Sequence, residues 1–178
     1  IYRKKVLMPT TEGIGPEYQY YYNYENGLLA ENYYIQYKDM GVWTDPKEHF
    51  VYTYDEQGRL VKKENLQTYN EMYEYKYDDQ GRLVEYTKYG KTDRSNPDAA
   101  YDKPYSTVAY SDFDDNNNPR RMDYTDHLYA TGSYFVFYTY DAKGNVLVEE
   151  SWEPNAQNPE GRVANYKYEN TYDEYGVI

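Results

Sequence analysis

Two histidines are the first residues of this chain to consider for catalysis. His49 and His127 are its only histidines, and a serine triad would need a nucleophile on a strained turn beside one of them. The segment Gly132-Ser133-Tyr134 lacks the Gly-x-Ser-x-Gly frame of such a turn. Both histidines fall in or beside expected loops, so we expect them to be solvent-exposed or structural.

Paired carboxylates could hydrolyse a glycosidic bond if they faced each other across roughly 5–10 Å. Glu149 and Glu150 are adjacent in the sequence, and successive side chains of a strand point to opposite faces. This pair therefore does not suit that chemistry. A glycan-active hydrolase is retained as a second alternative, and no catalytic residue is assigned.

Oxygen-bearing side chains alternate at Asp112, Asp114, Asn116 and Asn118, as they do at the start of a calcium-binding loop. The stretch lacks the glycine and the bidentate glutamate of that loop. It also fits a polar hairpin turn, which is the interpretation we favour. Calcium is the minor alternative, and the sequence indicates no other cofactor.

Aromatic side chains are the remaining candidates, because exposed rings stack on sugars whereas buried rings fill a core. Structural packing is the competing interpretation for both tryptophans. The candidate ligand-binding residues, all close to expected long loops, are Trp43, Trp152, Tyr101, Tyr105 and Tyr129.

Composition narrows the classes of protein. The 178 residues include 29 tyrosines and no cysteine, and the formal charge is -12. Such acidity argues against nucleic-acid binding, which requires lysine and arginine. No apolar run approaches the roughly 20 residues of a transmembrane helix. The chain starts at Ile1, so we expect a mature or trimmed segment, with any export signal or lipid anchor outside it.

The elements that position these residues are repeated hairpins. A Tyr-Asp-x-x-Gly motif occurs in three clear copies, and weaker copies bring the total to six. The clear copies are Tyr54-Asp55-Glu56-Gln57-Gly58, Tyr77-Asp78-Asp79-Gln80-Gly81 and Tyr140-Asp141-Ala142-Lys143-Gly144; the weaker ones are Tyr24–Gly27, Phe113–Asn117 and Tyr172–Gly176.

The motif has a turn mechanism. Aspartate is favoured at the first position of a type I turn, and glycine or asparagine at the fourth position accepts the left-handed conformation. The residues with this structural role are Asp55, Gly58, Asp78, Gly81, Asn117, Asp141 and Gly144.

The turn also predicts a register for the strands that it joins. We expect Tyr54 opposite Leu60, Thr53 opposite Val61 and Tyr52 opposite Lys62. The same construction places Val148 on the Tyr138 face of its hairpin and Trp152 on the Tyr134 face.

These patterns predict an all-β fold with little or no helix: a single domain, residues 1–178, in an antiparallel meander of about six hairpins. Because a sheet of about a dozen strands has exposed edges, we expect a closed or strongly curled barrel. Tyr2 to Met8 would close it beside Val163 to Tyr172. Long loops would gather at one rim, where we expect the function to lie.

The three clear motifs resemble the YD repeat of Rhs-type bacterial surface proteins. The chain is also similar to small exported Bacteroidetes lipoproteins of unknown function that have a porin-like barrel. The resemblance implies an exported protein at the bacterial cell surface or in the periplasm, with carbohydrate binding suggested by the YD repeats.

We therefore expect a non-enzymatic binding protein whose partner is a glycan or another cell-surface ligand. The alternative is a structural or assembly module that contacts other protein chains.

Overall fold

The computed structural model describes residues 2–10, 13–38, 41–42, 46–66, 71–93, 96, 99–129, 132–155 and 158–173. These residues form thirteen strands and no helix. The strands are Tyr2–Thr10 (β1), Gly13–Glu25 (β2), Leu28–Lys38 (β3), Gly41–Val42 (β4), Lys47–Tyr54 (β5), Leu60–Asn65 (β6), Glu71–Tyr77 (β7), Leu83–Gly90 (β8), Lys103–Phe113 (β9), Pro119–Asp126 (β10), Tyr134–Tyr140 (β11), Val146–Asn155 (β12) and Asn158–Glu169 (β13).

The strands form an antiparallel meander, as the sequence predicts. Hydrogen-bonded neighbours follow the order β1-β2-β3-β5-β6-β7-β8-β9-β10-β11-β12-β13, and β4 pairs with β3 alone. Within the described part of the chain, no helix is both long enough and apolar enough to cross a bilayer.

The predicted closed barrel is wrong. In the described residues β1 pairs with β2 and β13 pairs with β12, so the path is linear and Tyr2 to Met8 does not close it. The division into about six hairpins is also wrong. Each inner strand of the path pairs on both sides, which makes one meander, and the sixth motif follows β13 without joining two strands. Its residues 174–176 lie outside the described residues.

The chain divides into two compact units. The first comprises residues 1–74 and 89–103, and the second comprises residues 75–88 and 104–178. Met72 is the buried apolar residue described in the first unit, whereas Val108 and Val136 are buried in the second. Whether the chain forms the single domain predicted from its length stays a prediction.

Half-buried tyrosines flank the buried centre of the second unit. Cross-strand neighbours Tyr110, Met122, Val136, Ser151 and Tyr166 make one row across β9 to β13. Val136 and Ser151, at the centre of the row, are each 1% exposed, and both flanking tyrosines are half-buried. Aromatic rings bury large apolar areas, so they compensate for the scarcity of aliphatic residues.

A one-residue bulge corrects the predicted register. Tyr54 lies opposite Leu60 as predicted, but the register then shifts, so that Thr53 pairs with Lys62 and Tyr52 with Lys63. The extra residue of such a bulge is not paired. It reverses the face of every later residue on that strand.

The same shift occurs between β11 and β12. Tyr140 pairs with Val146, but Thr139 then pairs with Val148 and Phe135 with Trp152. Val148 therefore does not share the Tyr138 face, and Trp152 does not share the Tyr134 face. Both predictions were wrong because a turn alone does not reveal a bulge beyond it.

Candidate functional site

The turn between β7 and β8 is organised by the carboxylate of Asp78. Its Oδ1 accepts hydrogen bonds from the backbone N–H groups of Gln80 and Arg82, both at 2.9 Å. Its Oδ2 accepts a hydrogen bond from Arg82 Nε at 2.6 Å. One aspartate thus orders both the backbone of the turn and the side chain that follows it.

The arrangement recurs in three more hairpins. Asp55 Oδ2 binds Arg59 Nε at 2.7 Å, whereas Asp114 and Asp141 bind the side-chain amides of Asn118 and Asn145, at 3.1 and 2.9 Å. The residue after the glycine position is therefore part of the motif, which sequence reasoning missed. The signal was readable, since that position holds arginine in two copies and asparagine in the other two.

The left-handed conformation predicted at the fourth turn position is confirmed. The φ angles are 78° at Gly58, 80° at Gly81, 86° at Gly144 and 65° at Asn117. Asparagine tolerates this region better than other residues with a side chain. The turn is therefore the same in all four hairpins.

The electrostatics of the Asp78 turn favour the ionised carboxylate. Partial desolvation raises the pKa of Asp78, but hydrogen bonds from the backbone and side chain of Arg82 and from Gln80 outweigh it. The pKa of Asp78 is consequently held below its ordinary value. Asp78 is therefore ionised at neutral pH, and its Oδ2 forms an ion pair with Arg82 Nε.

The tyrosine of the motif ties one hairpin to the previous one. Tyr54 donates its hydroxyl to the Leu29 carbonyl at 3.0 Å. Two further copies make equivalent bonds, which we call tyrosine ties: Tyr140 to the Pro119 carbonyl at 2.8 Å, and Tyr172 to the Val146 carbonyl at 3.0 Å. The copy between β9 and β10 has Phe113 at this position, and phenylalanine cannot make the bond.

A cavity of about 590 Å³ lies beside Phe113 in the second unit. We call it the Arg82 pocket. It lies between the β7–β8 turn and the β9–β10 turn, and its lining residues are Gln80, Gly81, Arg82, Leu83, Tyr110, Phe113, Asn117 and Pro119. Apolar and aromatic walls thus surround two side-chain amides and one guanidinium.

The guanidinium of Arg82 is held in place from two directions. Its Nε binds Asp78, and its Cζ lies 4.2 Å from the centre of the Phe113 ring. The Arg82 side chain is 25% exposed, less than the 34% of Arg59 at the equivalent position. Stacking over an aromatic ring is favourable for arginine. Phe113 therefore holds the Arg82 guanidinium, whereas the tyrosine at this position in other copies bonds a backbone carbonyl.

A smaller cavity of about 310 Å³ occupies the corresponding place in the first unit. We call it the Tyr54 pocket. It lies between the β2–β3 turn and the β5–β6 turn, and its lining residues are Glu25, Asn26, Leu28, Ala30, Tyr52, Thr53, Tyr54 and Asp55. Both of these cavities are lined by turns, not by the long loops where the sequence led us to expect function.

The predicted ligand-binding aromatics are spread over different elements. Trp152 is half-buried opposite Phe135, and the Tyr105 carbonyl accepts the His127 N–H at 2.9 Å. Tyr129 is 68% exposed. Trp43 lies outside the described residues. Trp152, Tyr105 and Tyr129 are not among the lining residues of either pocket.

Tyr101 packs inside the first unit. Lys91 Nζ lies 4.9 Å from the centre of its ring, and its hydroxyl donates to the Asn65 carbonyl at 3.4 Å. Burial, with a smaller contribution from Glu64, raises the pKa of Tyr101 above its ordinary value. These contacts favour structural packing for this residue.

The histidines make side-chain contacts. His49 Nε2 lies 2.5 Å from Glu31 Oε1, and its ring packs edge-on against Tyr33. His127 Nε2 lies 2.8 Å from Thr107 Oγ1. Both contacts fit the structural role that the sequence favours.

Glu149 and Glu150 lie on opposite faces, as predicted: their partners on β11 are Tyr138 and Phe137. Glu149 Oε1 accepts the Tyr166 hydroxyl at 2.7 Å. Burial and this carboxylate raise the pKa of Tyr166 to about 12. Ser151 lies beside Tyr166 and lowers that pKa somewhat, although its buried hydroxyl meets no partner in good hydrogen-bond geometry.

The suggested calcium ligands serve the turn. Asp114 Oδ1 accepts the N–H groups of Asn116 and Asn118, at 2.9 and 2.8 Å. Asp112 lies on β9 with a φ of 53°. In the described part of the chain, no group of three or more acidic or histidine side chains could hold a metal ion.

Fold and pockets together define an all-β protein with repeated turn-lined cavities. No family model matches the chain and no curated protein matches it. Among solved structures it is similar to a protein of unknown function from Bacteroides fragilis, with 13% identity and a TM-score of 0.40, over 88% of this chain and 94% of the other.

Proposed function

We propose that this chain is a non-enzymatic binding protein that holds a saccharide in the Arg82 pocket. The observation that carries the proposal is the lining, in which the rings of Tyr110 and Phe113 share one cavity with the amides of Gln80 and Asn117. Its volume of about 590 Å³ falls within the range of small-molecule sites.

Sugars suit such a lining because they are amphipathic. Their C–H faces pack on aromatic and apolar walls, while their hydroxyls donate to and accept from amides. Leu83 and Pro119 extend the apolar wall. The resemblance to YD repeats supports the same proposal, and with it an exported location.

The test is isothermal titration calorimetry against a panel of mono- and disaccharides. Asn117→Gly removes one amide yet preserves the turn, since glycine occupies this position in three other hairpins. We expect it to weaken binding about tenfold, the effect of one or two lost hydrogen bonds. Gln80→Ala should act in the same direction.

Gln57→Ala is the matched control, because Gln57 occupies the position of Gln80 in a turn that does not line the Arg82 pocket. Its affinity should equal that of the original protein. The proposal fails if no saccharide binds, or if Asn117→Gly and Gln80→Ala both bind as well as the control.

An assembly role is the second candidate. It is favoured by β13, the last strand of the path, which exposes 52% of Val163 and 59% of Tyr168. Exposed apolar side chains on an end strand favour pairing with another chain. Light scattering across a concentration series tests this, and a monomer at all concentrations would exclude self-assembly.

A further inference from the structure

The Arg82 pocket contains one formal charge. Among its lining residues, Arg82 is the only ionisable group that is charged at neutral pH. Its partner Asp78 binds Nε from outside the lining. A positive group therefore faces this cavity in a protein of formal charge -12.

The contacts of Arg82 leave its two terminal nitrogens available to bind a ligand. A guanidinium carries five N–H donors, and the described contacts engage Nε with Asp78 and one face with the Phe113 ring. Among the described residues, its two terminal nitrogens donate to no acceptor in hydrogen-bond geometry. These nitrogens form the planar fork that binds a carboxylate through two parallel hydrogen bonds.

Arg59 shows that this arrangement is not a general property of the turn. It makes the same Nε bond, to Asp55, but its Nη2 also lies 3.5 Å from Gln57 Oε1. It does not line the Tyr54 pocket. Only the copy next to Phe113 thus presents its arginine to a described cavity.

From this geometry we propose that the ligand of the Arg82 pocket is a sugar with a single carboxylate, such as a uronic acid, whose carboxylate binds the terminal nitrogens of Arg82. The inference rests on the proposed saccharide binding and names its chemical class. The overall negative charge repels polyanions at long range, so we expect densely sulfated glycans to bind more weakly than a ligand with one carboxylate.

The experiment compares three ligands: a uronic acid methyl glycoside, its methyl ester and the corresponding neutral hexoside. The ester removes the charge with little change in shape. We expect the acid to bind about ten- to hundredfold more tightly than either neutral ligand, the range for a charged hydrogen-bonded pair. A highly sulfated disaccharide should bind more weakly than the acid.

Arg82→Asn is the decisive variant, because asparagine occupies this turn position in two other hairpins and bonds the aspartate there. It should abolish the preference for the acid, so that the acid, the ester and the neutral hexoside bind with similar affinity. Arg59→Asn makes the same replacement in the β5–β6 turn and should retain the preference. Thermal melts of both variants establish that they fold.

The outcomes separate the two proposals. Equal affinity for acid and ester, with binding still weakened by Gln80→Ala, would overturn the carboxylate inference and keep saccharide binding. A preference for the acid that survives Arg82→Asn would also overturn it. Absence of binding by any saccharide would overturn both.

Discussion

The Arg82 pocket and the Tyr54 pocket are built from the same parts, yet the first has about 590 Å³ and the second about 310 Å³. Each lies between the turns of two hairpins that follow one another along the chain. In the Tyr54 pocket, Tyr54 donates to Leu29 and Tyr52 donates to Asn32 at 2.7 Å. Those bonds draw the second hairpin against the first.

At the Arg82 pocket the equivalent residue is Phe113, and three local differences accompany it. No tyrosine tie forms, and Asn117 replaces the turn glycine. Asp112 takes a φ of 53°, and this hairpin lacks the register shift that occurs in the β2–β3, β5–β6 and β11–β12 hairpins. The comparison teaches that the larger cavity lies where the motif has lost its tyrosine hydroxyl and with it the bond to the previous hairpin. The expected effects below are ordered from largest to smallest.

Phe113→Tyr should convert the larger pocket into the smaller kind. The new hydroxyl would tie the β9–β10 hairpin to the Leu83 region, as Tyr54 is tied to Leu29, and reduce the space for ligand. We expect saccharide affinity to fall about thirtyfold or more, roughly 2 kcal/mol, while the melting temperature rises. Calorimetry and thermal denaturation measure the two effects, and unchanged affinity would contradict this account of the cavity.

Gly58→Ala should destabilise the turn beside the Tyr54 pocket. An added Cβ would meet Leu28 Cδ1 at 3.9 Å, an ordinary contact, so the cost comes from the φ of 78°. For alanine in this region we expect roughly 1–2 kcal/mol, measured by urea denaturation.

The reciprocal change is the control for that measurement. Asn117→Gly should gain a few tenths of a kcal/mol, because glycine adopts a positive φ more readily than asparagine. A loss of stability in Asn117→Gly would show that the β9–β10 turn differs from the others in more than its side chain.

Tyr54→Phe should loosen the smaller pocket without removing its ring. The change deletes the bond to the Leu29 carbonyl, and we expect a loss of about 1 kcal/mol in the free energy of unfolding. Tyr24→Phe, at a side chain that is 56% exposed, is the matched control and should be neutral. Equal stability of the two variants would show that the tyrosine tie contributes nothing.

Acid should weaken the four turns that an aspartate carboxylate organises. Partial desolvation raises the pKa of Asp55 and Asp78, but their hydrogen bonds outweigh it, and those of Asp114 and Asp141 also hold the pKa below the ordinary value. A lowered pKa in the fold means stability that is present above about pH 4 and is lost as pH falls below it.

Melting temperatures measured from pH 6 to pH 2 check this prediction. Asp55→Asn should show a shallower decline than the original protein, since one of the titrating groups is gone. A melting temperature that is constant down to pH 2 would rule out a stabilising role for the ionised turn aspartates.

The sequence was sufficient to predict the features that depend on a few neighbouring residues. The turn roles of Asp55, Gly58 and Asn117 follow from side-chain chemistry within five consecutive residues, and the structure confirms them. The all-β meander follows from alternation. The cavities and the tyrosine ties depend on how two hairpins pack together. They could not be predicted from one motif, because its sequence does not show which hairpin it contacts.

The errors have the same origin. Trp152 was assigned to the wrong face because a bulge after Tyr140 shifts the register, and a closed barrel was expected because exposed edges are unfavourable. The Arg82 pocket was not predicted, because the sequence analysis placed the functional site in the long loops. Its signal was present in the sequence, as phenylalanine in place of tyrosine at position 113.

The tyrosine ties have a further consequence for how the chain reaches its fold. They span 25, 21 and 26 residues, and each runs from a tyrosine back to a carbonyl in a hairpin completed earlier in the chain. Closing loops of this length costs little entropy, and short-range contacts speed folding. During synthesis every acceptor carbonyl leaves the ribosome before its tyrosine does. We therefore expect folding to proceed one hairpin at a time from the amino terminus. Each tyrosine tie would form as soon as its tyrosine has been synthesised.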